Sequence, residues 1–136
     1  MREVVARRLA ELRSRVARVR ELLPDDAETF RAQRTESEAL TLNLYLAVQC
    51  TIDLAMHLVA ERALGVPGGP REALELLERS GLLDRELAVR LNGAVGLRNR
   101  IAHQYGTLDL ERVYLVARDD LGDLEWFARS VASMSD

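Results

Sequence analysis

Apolar residues recur at Val5, Leu9, Leu12, Val16, Val19 and Leu23, in alternating steps of four and three. That rhythm lays an unbroken apolar seam along one face of a helix. Pro24 closes it, because the residue before a proline is pushed out of the α region. A short helix over Asp26–Gln33 is expected next. The following segment, roughly Thr35–Leu64, predicts a long helix that is very apolar between Leu40 and Leu64. It has the length of a membrane span. One stripe is polar throughout, however, with Thr41, Tyr45, Gln49, Asp53, His57 and Glu61 at every fourth position. Ionisable groups in mid-span are costly in lipid. A buried bundle helix with one polar edge is therefore expected, and no membrane.

Gly65-Val66-Pro67-Gly68-Gly69-Pro70 reads as a loop, and Pro70 can open a short helix over Arg71–Arg79. Ser80-Gly81 ends that helix. Asp84 is a good N-cap for a helix running from Arg85 through Tyr105. Gly106 can accept a left-handed C-terminal turn. Thr107 or Asp109 then caps a last helix with the seam Val113, Ala117, Leu121, Leu124, Ala128 and Val131. No segment alternates as a strand would. The pattern predicts one all-α domain over residues 1–136, an up-down helical bundle with short accessory helices.

Composition narrows the function. The chain has 136 residues, enough for a single core. Aromatics make up 4%, which disfavours nucleic-acid binding by base stacking. The net charge of −3 excludes a general polyanion binder, so any RNA contact is local. The basic side chains other than histidine are all arginine. Those of the first helix (Arg7, Arg8, Arg13, Arg15, Arg18, Arg20) could bind RNA or an acidic partner, but such a run is more often a solvated face. Cys50 is the single cysteine, so there is no intrachain disulfide and no cysteine metal site. The N-terminal residues lack the apolar core of a secretion signal, which makes the cytoplasm the expected compartment.

Chemistry concentrates in Arg98-Asn99-Arg100-Ile101-Ala102-His103-Gln104-Tyr105. An imidazole can move a proton near neutral pH, and a guanidinium can hold a phosphate through paired N–H donors. That combination suits RNA cleavage without a metal. A charged helix end with His103 as a packing residue would carry the same letters. Five steps separate Arg98 from His103, about 140° apart in helical projection. Arg100 and His103, three apart, share a face. Geometry alone nominates Arg100. Asp53, His57 and Glu61 could suggest a metal, but one helix cannot close a coordination shell, and none is expected. The polar stripe either lines a dimer groove, with Asp53 near the motif, or is a satisfied polar layer.

The segment resembles the Arg-x4-His-x-Tyr signature of the HEPN superfamily, in its HepT branch. Arg98, His103 and Tyr105 stand at the signature spacing, with polar Asn99 directly after the arginine. The likeness includes Arg34-Thr35-Glu36, the run Asn43 to Glu61 and Gly81-Leu82-Leu83-Asp84, and it extends roughly from Leu9 to Phe127. It implies a HEPN-like bundle forming a symmetric homodimer with two motifs facing one cleft. It implies a toxin ribonuclease without a cofactor, in which Arg98 and His103 are catalytic. Asn99, Arg100 and Asp53 would support them. It implies a partner, an MntA-like nucleotidyltransferase antitoxin that attaches AMP to Tyr105. RNA would be the substrate, with tRNA as the family's suggestion. The rival reading is a non-catalytic helical module that docks and regulates a nucleotidyltransferase.

Overall fold

The computed structural model describes residues 2–134. These residues form seven α-helices: α1 (Glu3–Leu22), α2 (Ala27–Ala32), α3 (Arg34–Glu61), α4 (Pro70–Arg79), α5 (Arg85–Gln104), α6 (Leu110–Asp119) and α7 (Leu121–Ala132). A 3₁₀ turn, Tyr105–Thr107, follows α5. Among the described residues there is no strand.

Three of the helix starts follow from short acidic side chains. Asp26, Asp84 and Asp109 each accept a hydrogen bond from a backbone N–H of the first turn, at Thr29, Glu86 and Glu111. These groups lack intrahelical partners, so the caps satisfy them. Asp109, not Thr107, therefore caps α6. Pro70 opens α4 as expected. Gly81, at φ 83, ends α4, with the Leu82 N–H returning to the Leu77 carbonyl. α3 ends differently. Ala63 takes a left-handed φ of 53 and the Leu64 N–H reaches back to the Val59 carbonyl.

α3 is the central helix. It packs most extensively on α1, and also on α2, α4, α5, α6 and α7. It is long and apolar enough to cross a membrane by composition, yet 61% of its most apolar window is buried within the bundle. Leu40, Leu44, Leu54 and Leu58 meet the α1 seam Leu9, Leu12, Val16 and Val19 in one core. Burying each such leucine or valine contributes about 1.5–3 kcal/mol. Tyr114 is buried against Phe30 and its hydroxyl donates to the Pro24 carbonyl, which ties α6 to α2.

Two expectations are corrected. The last helix is broken at Asp120, where the backbone leaves the helix at φ −115 and ψ 3. Asp119, Asp120 and Gly122 are weak helix formers, so the break falls there. Gly106 is not left-handed; positive φ values among the described residues occur at Ala63, Gly65 and Gly81.

The arginines of α1 are not merely a solvated face. Arg8 pairs with Asp53 at 3.0 Å, Arg15 donates to the Asn43 side chain at 3.0 Å, and Arg20 pairs with Glu125 of α7. Arg7 and Arg18 stay on the surface, paired only within α1.

Candidate functional site

α5 is unbroken from Arg85 to Gln104 and carries the motif from Arg98 through His103, while Tyr105 opens the 3₁₀ turn that follows. A helix ending before His103 would have let the two groups converge; this one continues past it. At about 100° per residue, Arg98 and His103 lie about 140° apart around the same helix. The motif thus divides between two faces. Arg98, Ile101 and Tyr105, spaced three and four apart, follow the stripe that also carries buried Leu87 and Leu91. Asn99 and His103, four apart, share the opposite exposed face.

Arg98 and Arg100 are half-buried, and their Nε–H groups are buried without a hydrogen-bond acceptor. No carboxylate pairs with either among the described residues. Several other arginines do meet carboxylates, as with Arg90, held by Glu86 at 3.0 Å and Asp123 at 3.6 Å. The motif arginines thus keep planar donors that match a phosphate. Arg100 lines a small cleft of about 120 Å³ with Leu97, Arg112, Asp120 and Asp123. Burial pushes the Asp123 carboxyl above its usual range, partly offset by the Arg90 charge.

Tyr105 is 53% exposed and forms part of an open groove between the first half of α3 and the end of α5. Of the other tyrosines, Tyr45 lines the same groove half-buried, and Tyr114 is buried.

Among the described residues Asp53 makes no hydrogen bond to the motif. Its carboxylate receives the Arg8 guanidinium and the Gln49 amide, both at 3.0 Å. His57 meets Glu61 at 3.0 Å, and Arg2 reaches Glu61 at 3.4 Å. The three polar groups of the α3 stripe are thus engaged with neighbours. Among the described residues no three metal-ligating side chains cluster. Sequence reading missed Arg8 as the partner of Asp53, and no periodic signal announces a contact across two helices. Cys50 is buried, and desolvation with the nearby Glu11 carboxylate pushes its thiol up to about 11.

The fold and the motif define an all-helical protein of the HEPN type. The model of the family described as HepT-like, Ribonuclease HepT-like, matches residues 12–131, and the chain belongs to that family. The chain is 29% identical over 127 residues to the mRNA nuclease HepT of Shewanella oneidensis, covering 93% of this chain and 95% of that protein. It is 29% identical over 90 residues to the tRNA nuclease HepT of Aphanizomenon flos-aquae, covering 66% of this chain and 61% of that one. The structure superposes with a TM-score of 0.90 on the tri-AMPylated Shewanella oneidensis HEPN toxin solved in complex with MNT antitoxin. The two are 28% identical over 98% of this chain and 100% of that chain. A toxin–antitoxin structure with AMP-PNP gives a TM-score of 0.87 at 27% identity, over 96% of this chain and 99% of that one.

Proposed function

We propose that this protein is the ribonuclease toxin of a toxin–antitoxin pair, cutting RNA without a metal and neutralised by AMP attached to Tyr105. The chain acts as a two-fold homodimer whose motifs face one cleft. Because α5 turns Arg98 and His103 to different faces, each working site takes Arg98 from one protomer and His103 from the other. The ribose 2′-OH attacks the adjacent phosphorus, the P–O5′ bond breaks, and a 2′,3′-cyclic phosphate and a 5′-OH result. His103 moves the proton, and Arg98 stabilises the charge developing on the phosphate oxygens. Asn99, one turn before His103 on the exposed face, orients the imidazole or the phosphate. Arg100 adds positive charge beside them. Asp53 supports the α1–α3 frame through Arg8.

The observation that carries this reading is the intact motif, with the buried Nε–H groups of Arg98 and Arg100 unpartnered among the described residues, in a chain of the HepT-like family. The partner is a nucleotidyltransferase of the MntA type. RNA is the substrate, with mRNA and tRNA as the classes named for the two relatives. A cytoplasmic location follows from that substrate.

The test uses end-labelled RNA with a chelator present. His103→Ala and Arg98→Ala should each slow cleavage by about 10²–10⁴-fold, the range of general acid–base and charge-stabilising groups. A fully 2′-deoxy strand should not be cut. Cleavage that survives His103→Ala, or that stops on chelation, would overturn the mechanism. An uncut RNA in every case would favour the docking module.

A further inference from the structure

The groove beside Tyr105 has a volume of about 590 Å³ and lies open to solvent. Leu42, Tyr45, Ile101 and Ala102 give it an apolar floor, with Thr35 and Glu38 at its edge. Leu42 is 56% exposed, unusual for a leucine on the central helix. Arg34 stands one turn before Glu38, and its Nε–H donates to the Glu38 carboxylate at 2.7 Å. This places a guanidinium at the groove's edge. The Glu38 hydrogen bond and charge hold the Arg34 pKa up, and the Tyr105 phenol lies close enough to add to the effect.

We propose that this groove is a nucleoside subsite that receives the adenosine of an AMP attached to Tyr105, with Tyr45 against the base and Arg34 on the phosphate. The proposal rests on the AMPylation reading above. The adduct forms when the Tyr105 Oη attacks the α-phosphorus of ATP; pyrophosphate leaves and the phenol proton passes to solvent. A single phosphodiester then tethers the adenosine, so it must settle within a few bond lengths of Tyr105. The groove that Tyr105 itself lines offers apolar surface within that reach. Its volume lies within the range of small-molecule sites, about 300–1,000 Å³. Every purine presents a flat π-face that an aromatic ring can cover. Arg34 has five N–H donors, so it can hold a phosphate while keeping Glu38. Glu38 is also placed to accept from a ribose hydroxyl.

The experiment starts from protein AMPylated by its cognate nucleotidyltransferase and ATP. A 5′-phosphodiesterase is added, and AMP release is followed by intact mass. A seated adenosine shields its phosphodiester. Tyr45→Ala and Arg34→Gln should each release AMP about tenfold faster than the unsubstituted protein, as loss of one stacking or charge contact predicts. Tyr45→Phe should release it at the unsubstituted rate. If Tyr45→Ala loses helix by circular dichroism, Arg34→Gln carries the test, since that side chain is 90% exposed and its loss spares the fold. Equal release rates with the adduct on Tyr105 would overturn the subsite alone. An active partner that leaves no adduct on Tyr105 would overturn the AMPylation reading and the subsite with it.

Discussion

Arg8 on α1 holds Asp53 on α3 at 3.0 Å, across 45 positions of sequence. Both side chains are partly exposed, at 43% and 35%, so solvent screens the pair. Arg8→Ala should therefore lower stability by less than about 1 kcal/mol. It should leave RNA cleavage near the unsubstituted rate, because Asp53 acts through the helix frame. Urea unfolding and a cleavage assay on the same sample measure both. A large loss of cleavage at unchanged stability would instead make Asp53 part of the reacting site.

Tyr105 should be the AMP acceptor, and its surroundings provide the controls. Tyr114 is 2% exposed and its hydroxyl is already engaged with the Pro24 carbonyl. Tyr45 is half-buried in the groove. Tyr105→Phe should keep cleavage and escape neutralisation by the partner. Peptide mapping after incubation with partner and ATP reads the site directly. AMP on Tyr45 or Tyr114 in place of Tyr105 would contradict the regulatory model while leaving the nuclease untouched.

Ala63 holds a left-handed backbone at φ 53 without being glycine. A Cβ in that region is strained, and glycine removes the strain. Ala63→Gly should raise stability by up to about 1 kcal/mol. The melting temperature measures it, and a fall would show that the lost chain entropy outweighs the relieved strain.

Cys50 should be inert in the folded protein. Burial chiefly, then Glu11, raises its thiol from 9.0 to about 11. Because the folded value is the higher one, this contribution to stability is complete below about pH 9 and is lost as pH rises through about 11. Iodoacetamide at about pH 8 should modify Cys50 only after denaturation, and urea midpoints should fall between pH 9 and 11. Rapid alkylation of the native chain would contradict this environment.

Much of the fold was legible because burial and period coincide. Val5, Leu9, Leu12, Val16 and Val19 are the buried face of α1, as their spacing requires. The break at Asp120 was hidden. Ala117, Leu121 and Leu124 keep helical steps across it, so the seam gives no sign of the interruption. The polar stripe of α3 was visible, but its partners were not. Arg8 and Arg2 come from another helix and from the residue before it, and periodicity along one helix carries no record of them. The motif residues were legible by spacing and resemblance. Their division between two faces became definite only with α5 continuous to Gln104.

The central claim is that one working site combines Arg98 and His103 from different protomers. Co-expressing two inactive chains, Arg98→Ala and His103→Ala, tests it most directly. Random pairing makes half the dimers mixed. Each mixed dimer keeps one intact Arg98–His103 pair of its two sites, so cleavage should return to about a quarter of the unsubstituted rate. If both groups act within one chain, no mixed dimer holds an intact pair, and cleavage would stay at the level of the single variants.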